Sequence, residues 1–116
     1  MSDVEIWHNP KCTKSVAAVE FLRAEGIRPR VVLYLEKPPT TARLDEVLTL
    51  LGLEPRQLMR HAEPIYKELA LKTKELDRAG LLGVMVENPV LIERPIVIVG
   101  KKAVIARPPE RSLEVL

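Results

Sequence analysis

The chain has 116 residues, with 18 lysine and arginine against 16 aspartate and glutamate, 47% hydrophobic residues and a single cysteine. That length and balance fit one compact globular domain over 1–116; they exclude a disordered chain, and no apolar run is long enough to span a bilayer. A net charge of +2 and 3% aromatic residues argue against a nucleic-acid surface, and one cysteine excludes an internal disulfide and a cysteine-rich metal centre.

Taken in order, Val4-Glu5-Ile6-Trp7 reads as a short first strand. Asp3 and Glu5 stand where a targeting leader would be basic, so a cytoplasmic protein is expected. The stretch His8-Asn9-Pro10-Lys11-Cys12-Thr13-Lys14-Ser15 follows, with a turn signal at Asn9-Pro10, and leads into an apolar-periodic helix from Val16 to Leu22. Ala18, Phe21 and Leu22 mark its inner face and Gly26 its end. Val31 to Leu35 is an unbroken apolar run and predicts a strand buried on both faces. Strand, helix and strand at this spacing predict a parallel βαβ unit.

A helical insert is predicted over about 41–88. A threonine at Thr40-Thr41 can cap a helix carrying Leu44, Val47, Leu48 and Leu51 at i, i+3, i+4, i+7, stopped by Gly52. Pro55 opens a short helix to Arg60, Pro64 precedes another segment to Leu69, and a last helix runs from about Leu76 to Asn88, ended by Pro89. Beyond it, Pro95 to Val99 and Ala103 to Ala106 predict an antiparallel hairpin around Gly100-Lys101-Lys102. Pro108-Pro109 start a terminal helix, with Leu113, Val115 and Leu116 available to pack. The fold class is α/β: a mixed sheet of one parallel βαβ unit and a C-terminal hairpin, interrupted by helices.

The chemistry centres on Cys12. A thiol at a helix N-terminus near cations ionises more readily than a free one, and Lys11, Lys14 and His8 are the nearby candidates. Two readings stand on the residues alone: a reactive thiolate, or a small apolar side chain in the core. Polar and charged neighbours favour the first. Ser15 completes a Cys-x-x-Ser pattern and either caps the helix or belongs to a single-thiol redox site; with no second cysteine, the resolving sulfur must come from another molecule. His8 is either part of that loop's chemistry or a solvated loop residue, and His61 has no partner pattern; no metal site is expected. Arg94 and Arg107 each precede a proline at a strand end, where α/β sheets bind ligands, and Arg60 ends the short helix after Pro55. A guanidinium grips tetrahedral oxyanions through paired hydrogen bonds. Each arginine taken singly reads first as an ordinary solvated charge.

Four blocks in order carry a resemblance. They are His8-Asn9-Pro10-Lys11-Cys12-Thr13-Lys14-Ser15, Tyr34-Leu35-Glu36-Lys37-Pro38-Pro39-Thr40, Arg94-Pro95-Ile96-Val97 and Arg107-Pro108-Pro109-Glu110. Together they resemble the glutaredoxin-dependent arsenate reductase family, in its Cys-x-Lys-Ser branch; Thr13 and Val16 stand where another branch has glycine and a basic residue. The resemblance implies a thioredoxin/glutaredoxin-like fold. It implies Cys12 as the nucleophile toward arsenate, His8 as a group that keeps it ionised, and Arg60, Arg94 and Arg107 as oxyanion ligands. Asn9, Ser15 and the loop amides would complete the anion cradle, and Pro95 would be a structural cis-proline. The implied reaction reduces arsenate to arsenite through a Cys12 thiol–arsenate intermediate resolved by glutathione and glutaredoxin, with no bound cofactor, no nucleic acid and no membrane partner. The alternatives are a glutathione-linked thiol oxidoreductase without arsenate activity, or an Spx-like regulator that binds RNA polymerase.

Overall fold

The computed structural model describes residues 3–116. The chain falls into two compact units, Met1–Lys37 with Arg94–Leu116, and Pro38–Glu93; the predicted helical insert lies within the second.

The first unit is built on a four-stranded sheet in the order β2-β1-β3-β4, where β1 is Val4–Trp7, β2 Arg30–Val32, β3 Ile96–Val99 and β4 Lys102–Ile105. β1 runs parallel to β2 and antiparallel to β3, with Trp7 opposite Val32 on one side and Ile96 on the other. β3 and β4 form the expected hairpin, Ile96 opposite Ile105. Helix α1, Thr13–Ala24, crosses between β1 and β2 and buries Ala18, Val19 and Leu22 against Ile6, Val97 and Val104. Alternation along β1 sends Glu5 and Trp7 to the other face. There the Trp7 indole N–H donates to the buried Glu5 carboxylate at 2.7 Å, and Arg30 on the neighbouring strand pairs with the same carboxylate. Gly26, at φ +80, turns the chain out of α1, with the Ile27 amide donating to the Leu22 carbonyl at 2.9 Å.

Two expectations in this unit are corrected. Val31 to Leu35 is not a strand buried on both faces. β2 ends at Val32 and occupies the sheet edge, leaving Val31 and Leu35 each 37% exposed, while the Leu33 carbonyl accepts from the amides of Glu36 and Lys37 in a turn that buries Tyr34. An apolar run does not distinguish a central strand from an edge strand running into a turn. At the C-terminus, Leu113 and Leu116 are exposed and Ser112 is buried with Val115. The terminal element is a 3₁₀ helix, Pro109–Glu114, whose period of three brings positions 112 and 115 to one side.

In the second unit α2, Thr41–Leu51, packs on α5, Arg78–Glu87. The Thr40 hydroxyl caps α2 by accepting the Arg43 amide at 3.1 Å, and Gly52 ends it in the left-handed conformation. α5 begins two residues later than predicted because the Asp77 carboxylate caps it, accepting the Gly80 amide at 2.8 Å. The last helix gives way to a 3₁₀ turn at Pro89–Leu91. Helix α3 is Pro55–Leu58, shorter than predicted, because Met59 leaves it to bridge Ile92 and the Arg60 amide donates to the Leu91 carbonyl at 2.7 Å. α4 is Pro64–Glu68.

The Ser112 hydroxyl is buried with no hydrogen-bond partner among the described residues. Replacing a buried unpaired hydroxyl with a methyl removes a desolvation cost, so Ser112→Ala is expected to raise stability by about 1 kcal/mol in urea denaturation; an equal loss would show that the hydroxyl is satisfied in solution.

Candidate active site

The sheet register gathers most of the expected residues at one end. The loop that follows Trp7 carries His8 to Cys12; Arg94 and Pro95 enter β3 beside Trp7, and Arg107 leaves β4 just beyond Ile105. The Ala106 amide donates to the Pro95 carbonyl at 3.0 Å and closes this end of the hairpin. The Arg94–Pro95 peptide is cis, and so is Arg107–Pro108. Arg60 lies in the other unit, where its guanidinium pairs with Glu63 at 2.6 Å.

Cys12 is the N-cap residue of α1, in extended conformation, and is 9% exposed. Its amide donates to the Asn9 carbonyl at 3.0 Å and its carbonyl accepts the Val16 amide at 3.0 Å, so the backbone at the sulfur is fixed on both sides. Burial pushes the thiol pKa up. Against it act the main-chain amides of Ser15 and Lys14 in the first turn of α1 and Arg94, by its charge and its side chain; the balance holds the thiol below its ordinary value. These first-turn amides have no partner in the helix ladder, and their dipoles favour the ionised sulfur without a side-chain cap hydrogen bond at Cys12.

Of the cations offered by the sequence, neither the lysine ammonium groups nor His8 is among those that depress the thiol; Lys14 acts through its amide, and the positive charge comes from Arg94. Lys11 and Lys14 are solvent-exposed. Burial, reinforced by the charge of Arg23, lowers the His8 pKa, so the imidazole is mainly neutral at pH 7. Its Nδ1 lies 2.5 Å from the Ser15 hydroxyl.

The Ser15 hydroxyl makes its contacts within the loop. Ser15 is fully buried, and its oxygen accepts the Asn9 amide at 3.0 Å in addition to contacting His8, so the group is turned into the loop. Asn9 is likewise a loop organiser, its side-chain oxygen accepting the Lys11 amide at 3.0 Å. Ser15 therefore reaches the sulfur by its main chain. Thr13 occupies the first position of α1, a right-handed helical conformation that a β-carbon tolerates. Among the described residues, no group of three or more His, Cys, Asp and Glu could hold a metal ion. Nor is any described helix long and apolar enough to cross a membrane.

A buried sulfur at a helix N-terminus, a guanidinium facing it and a cis-proline at the start of β3 thus meet at this end of the sheet. The ArsC family model matches residues 7–115. The chain belongs to the ArsC family. Among its relatives, YfgD of Escherichia coli (strain K12) is 47% identical over 97% of this chain and 96% of its own length. The arsenate reductase of Neisseria meningitidis serogroup A is 42% identical over the full length of both chains. Among solved structures, the arsenate reductase from Vibrio cholerae superposes with a TM-score of 0.95 at 45% identity, covering 99% of this chain and 98% of that one. With the parallel βαβ unit and the C-terminal hairpin, this makes the fold of this ArsC-family chain thioredoxin-like.

Two pH titrations test the electrostatics. Iodoacetamide alkylation of Cys12 is expected to follow a thiol pKa below the ordinary range, and Arg94→Gln to move that midpoint upward by removing the facing charge. The His8 ring resonances are expected to titrate below the usual imidazole value. An alkylation midpoint unmoved by Arg94→Gln would contradict the assigned role of the guanidinium.

Proposed function

We propose that this ArsC-family chain reduces arsenate to arsenite with Cys12 as the nucleophile. The observation that carries the reading is the Cys12 sulfur held below its ordinary pKa by two helix amides and Arg94, in a chain with no second thiol. Relatives of similar length from Neisseria meningitidis and Haemophilus influenzae bear the name arsenate reductase.

In the first step the Cys12 thiolate attacks arsenic, forming an S–As bond, while one arsenate oxygen takes up two protons and leaves as water. Arg94 and Arg107 balance the charge of the oxyanion at this end of the sheet, and Arg60 is the third guanidinium that the resemblance assigns to it. In the second step a thiolate from outside the chain attacks the Cys12 sulfur. A disulfide forms, the S–As bond breaks, and arsenic leaves with the electron pair as arsenite, reduced by two electrons while each sulfur is oxidised by one. Glutathione supplies the external thiol, and a glutaredoxin reduces the mixed disulfide to restore Cys12. No bound cofactor takes part, and the cytoplasm, where thiols are kept reduced, is the compartment that suits the cycle.

The neutral His8 and the buried Ser15 hydroxyl hold the loop in the shape that aims the Ser15 and Lys14 amides at the sulfur. Arsenate-dependent oxidation of glutathione in the presence of glutaredoxin is the direct assay. Cys12→Ser is expected to lower turnover by about two orders of magnitude or more, down to background. Arg107→Gln is expected to raise the KM for arsenate about ten- to hundredfold, the equivalent of one charge-assisted hydrogen bond. Full activity in Cys12→Ser would end this reading.

A further inference from the structure

Glu5 breaks the pattern of the strand that carries it. β1 lies inside the sheet, with β2 on one side and β3 on the other, and its remaining residues Val4, Ile6 and Trp7 are apolar. Glu5 stands opposite Arg30 on one side and Ile98 on the other, and it is 7% exposed. A carboxylate there loses more hydration than valine or leucine would, and such breaks with local preference concentrate where function needs them. Trp7, the chain's only tryptophan, donates its indole N–H to one carboxylate oxygen at 2.7 Å, and Arg30 pairs with the other.

We propose that Glu5 is a positioning residue for the Cys12 site and acts through the Trp7 indole. Trp7 is where the parts of that site meet. It is the last residue of β1, and the His8 amide just beyond it donates to the Val32 carbonyl at 2.9 Å, opening the loop that leads to Cys12. Across the sheet Trp7 is opposite Ile96, which follows Arg94 by two residues, and Arg94 is the guanidinium that acts on the thiol. Paired residues share a face, so the buried indole packs at the end of β1 and at the start of β3 together. An indole has two broad settings about its second side-chain torsion, and the bond to Glu5 selects one of them. Arg30 holds the carboxylate from β2, so the acceptor is itself fixed between two strands. The inference rests on the sheet geometry and is independent of which oxyanion the site takes. A direct electrostatic effect of Glu5 would have the opposite sign: an anion near a thiol raises its pKa, so removing the charge alone would lower it. Loss of positioning instead raises the thiol pKa, because burial is then less well opposed.

The test follows Cys12 alkylation by iodoacetamide against pH in Glu5→Leu, Trp7→Phe and Glu5→Gln. The first two remove the indole–carboxylate bond, and each is expected to raise the alkylation midpoint by about half a pH unit or more. Glu5→Gln keeps an acceptor for the indole N–H and is expected to hold the wild-type midpoint. The double variant Glu5→Leu/Trp7→Phe is expected to shift it no further than either change alone, since both break one link. The single tryptophan reports that link directly: its emission is expected to move in Glu5→Leu and to stay in Glu5→Gln. Urea denaturation of the same variants separates positioning from plain stability, because Glu5→Leu is expected to unfold at the same or a higher urea concentration. Should Glu5→Leu fail to fold, Trp7→Phe carries the same test. A midpoint that is unchanged or lowered in the folded variants, an equal rise in Glu5→Gln, or a loss of stability with no shift of the midpoint would overturn the proposal.

Discussion

A sulfur whose ionisation is favoured in a place that disfavours charge is the constraint on which the rest of the structure depends. Burial alone would raise the Cys12 pKa. Three groups outweigh it: the amides of Lys14 and Ser15 at the open end of α1, and the guanidinium of Arg94. Each donor requires something further. The amides point at the sulfur only because Cys12 caps the helix in extended conformation, and that conformation is held by the Asn9 carbonyl on the Cys12 amide and by Ser15 locked to His8 and Asn9. Arg94 reaches the sulfur only because β3 lies beside β1 and begins where β1 ends.

This arrangement gives His8 and Ser15 a different task from the one their side chains suggest. A neutral imidazole bonded to a buried hydroxyl supplies no charge to the thiol. It supplies rigidity to a loop whose main chain does the electrostatic work. Backbone dipoles suit that task because they carry no titratable proton and need no reorganisation when charge develops on the sulfur. The single thiol has the opposite consequence. An oxyanion reduced by two electrons needs two sulfurs, and a chain with one cysteine holds only the first of them.

Much of the architecture was legible in the residues. β1 coincides with the predicted Val4 to Trp7, the hairpin strands fall within one residue of their predicted places, and α2 ends at Gly52 as expected. These elements carry strong local signals: alternation, helical periodicity, and glycine where φ turns positive. The misplaced pieces had weak or ambiguous ones. Val31 to Leu35 looked central because an apolar run has no marker for its position in a sheet. α5 started late because Asp77 competes as a cap with the leucine periodicity before it, and α3 ended early because Met59 and Arg60 find backbone partners near Ile92.

For the site, the sequence by itself determined that there is one sulfur, that it stands between a strand and a helix, and that arginines precede prolines at two strand ends. Those facts follow from residue identity and local periodicity, which act over a few positions. Only the tertiary structure decided which positive group faces the thiol, that Lys14 contributes through its main-chain amide and not its ammonium group, and that the Ser15 hydroxyl turns inward. Such questions depend on the register between strands far apart in the chain and on the direction in which each N–H points, and neither is encoded by the type of the residue that carries it.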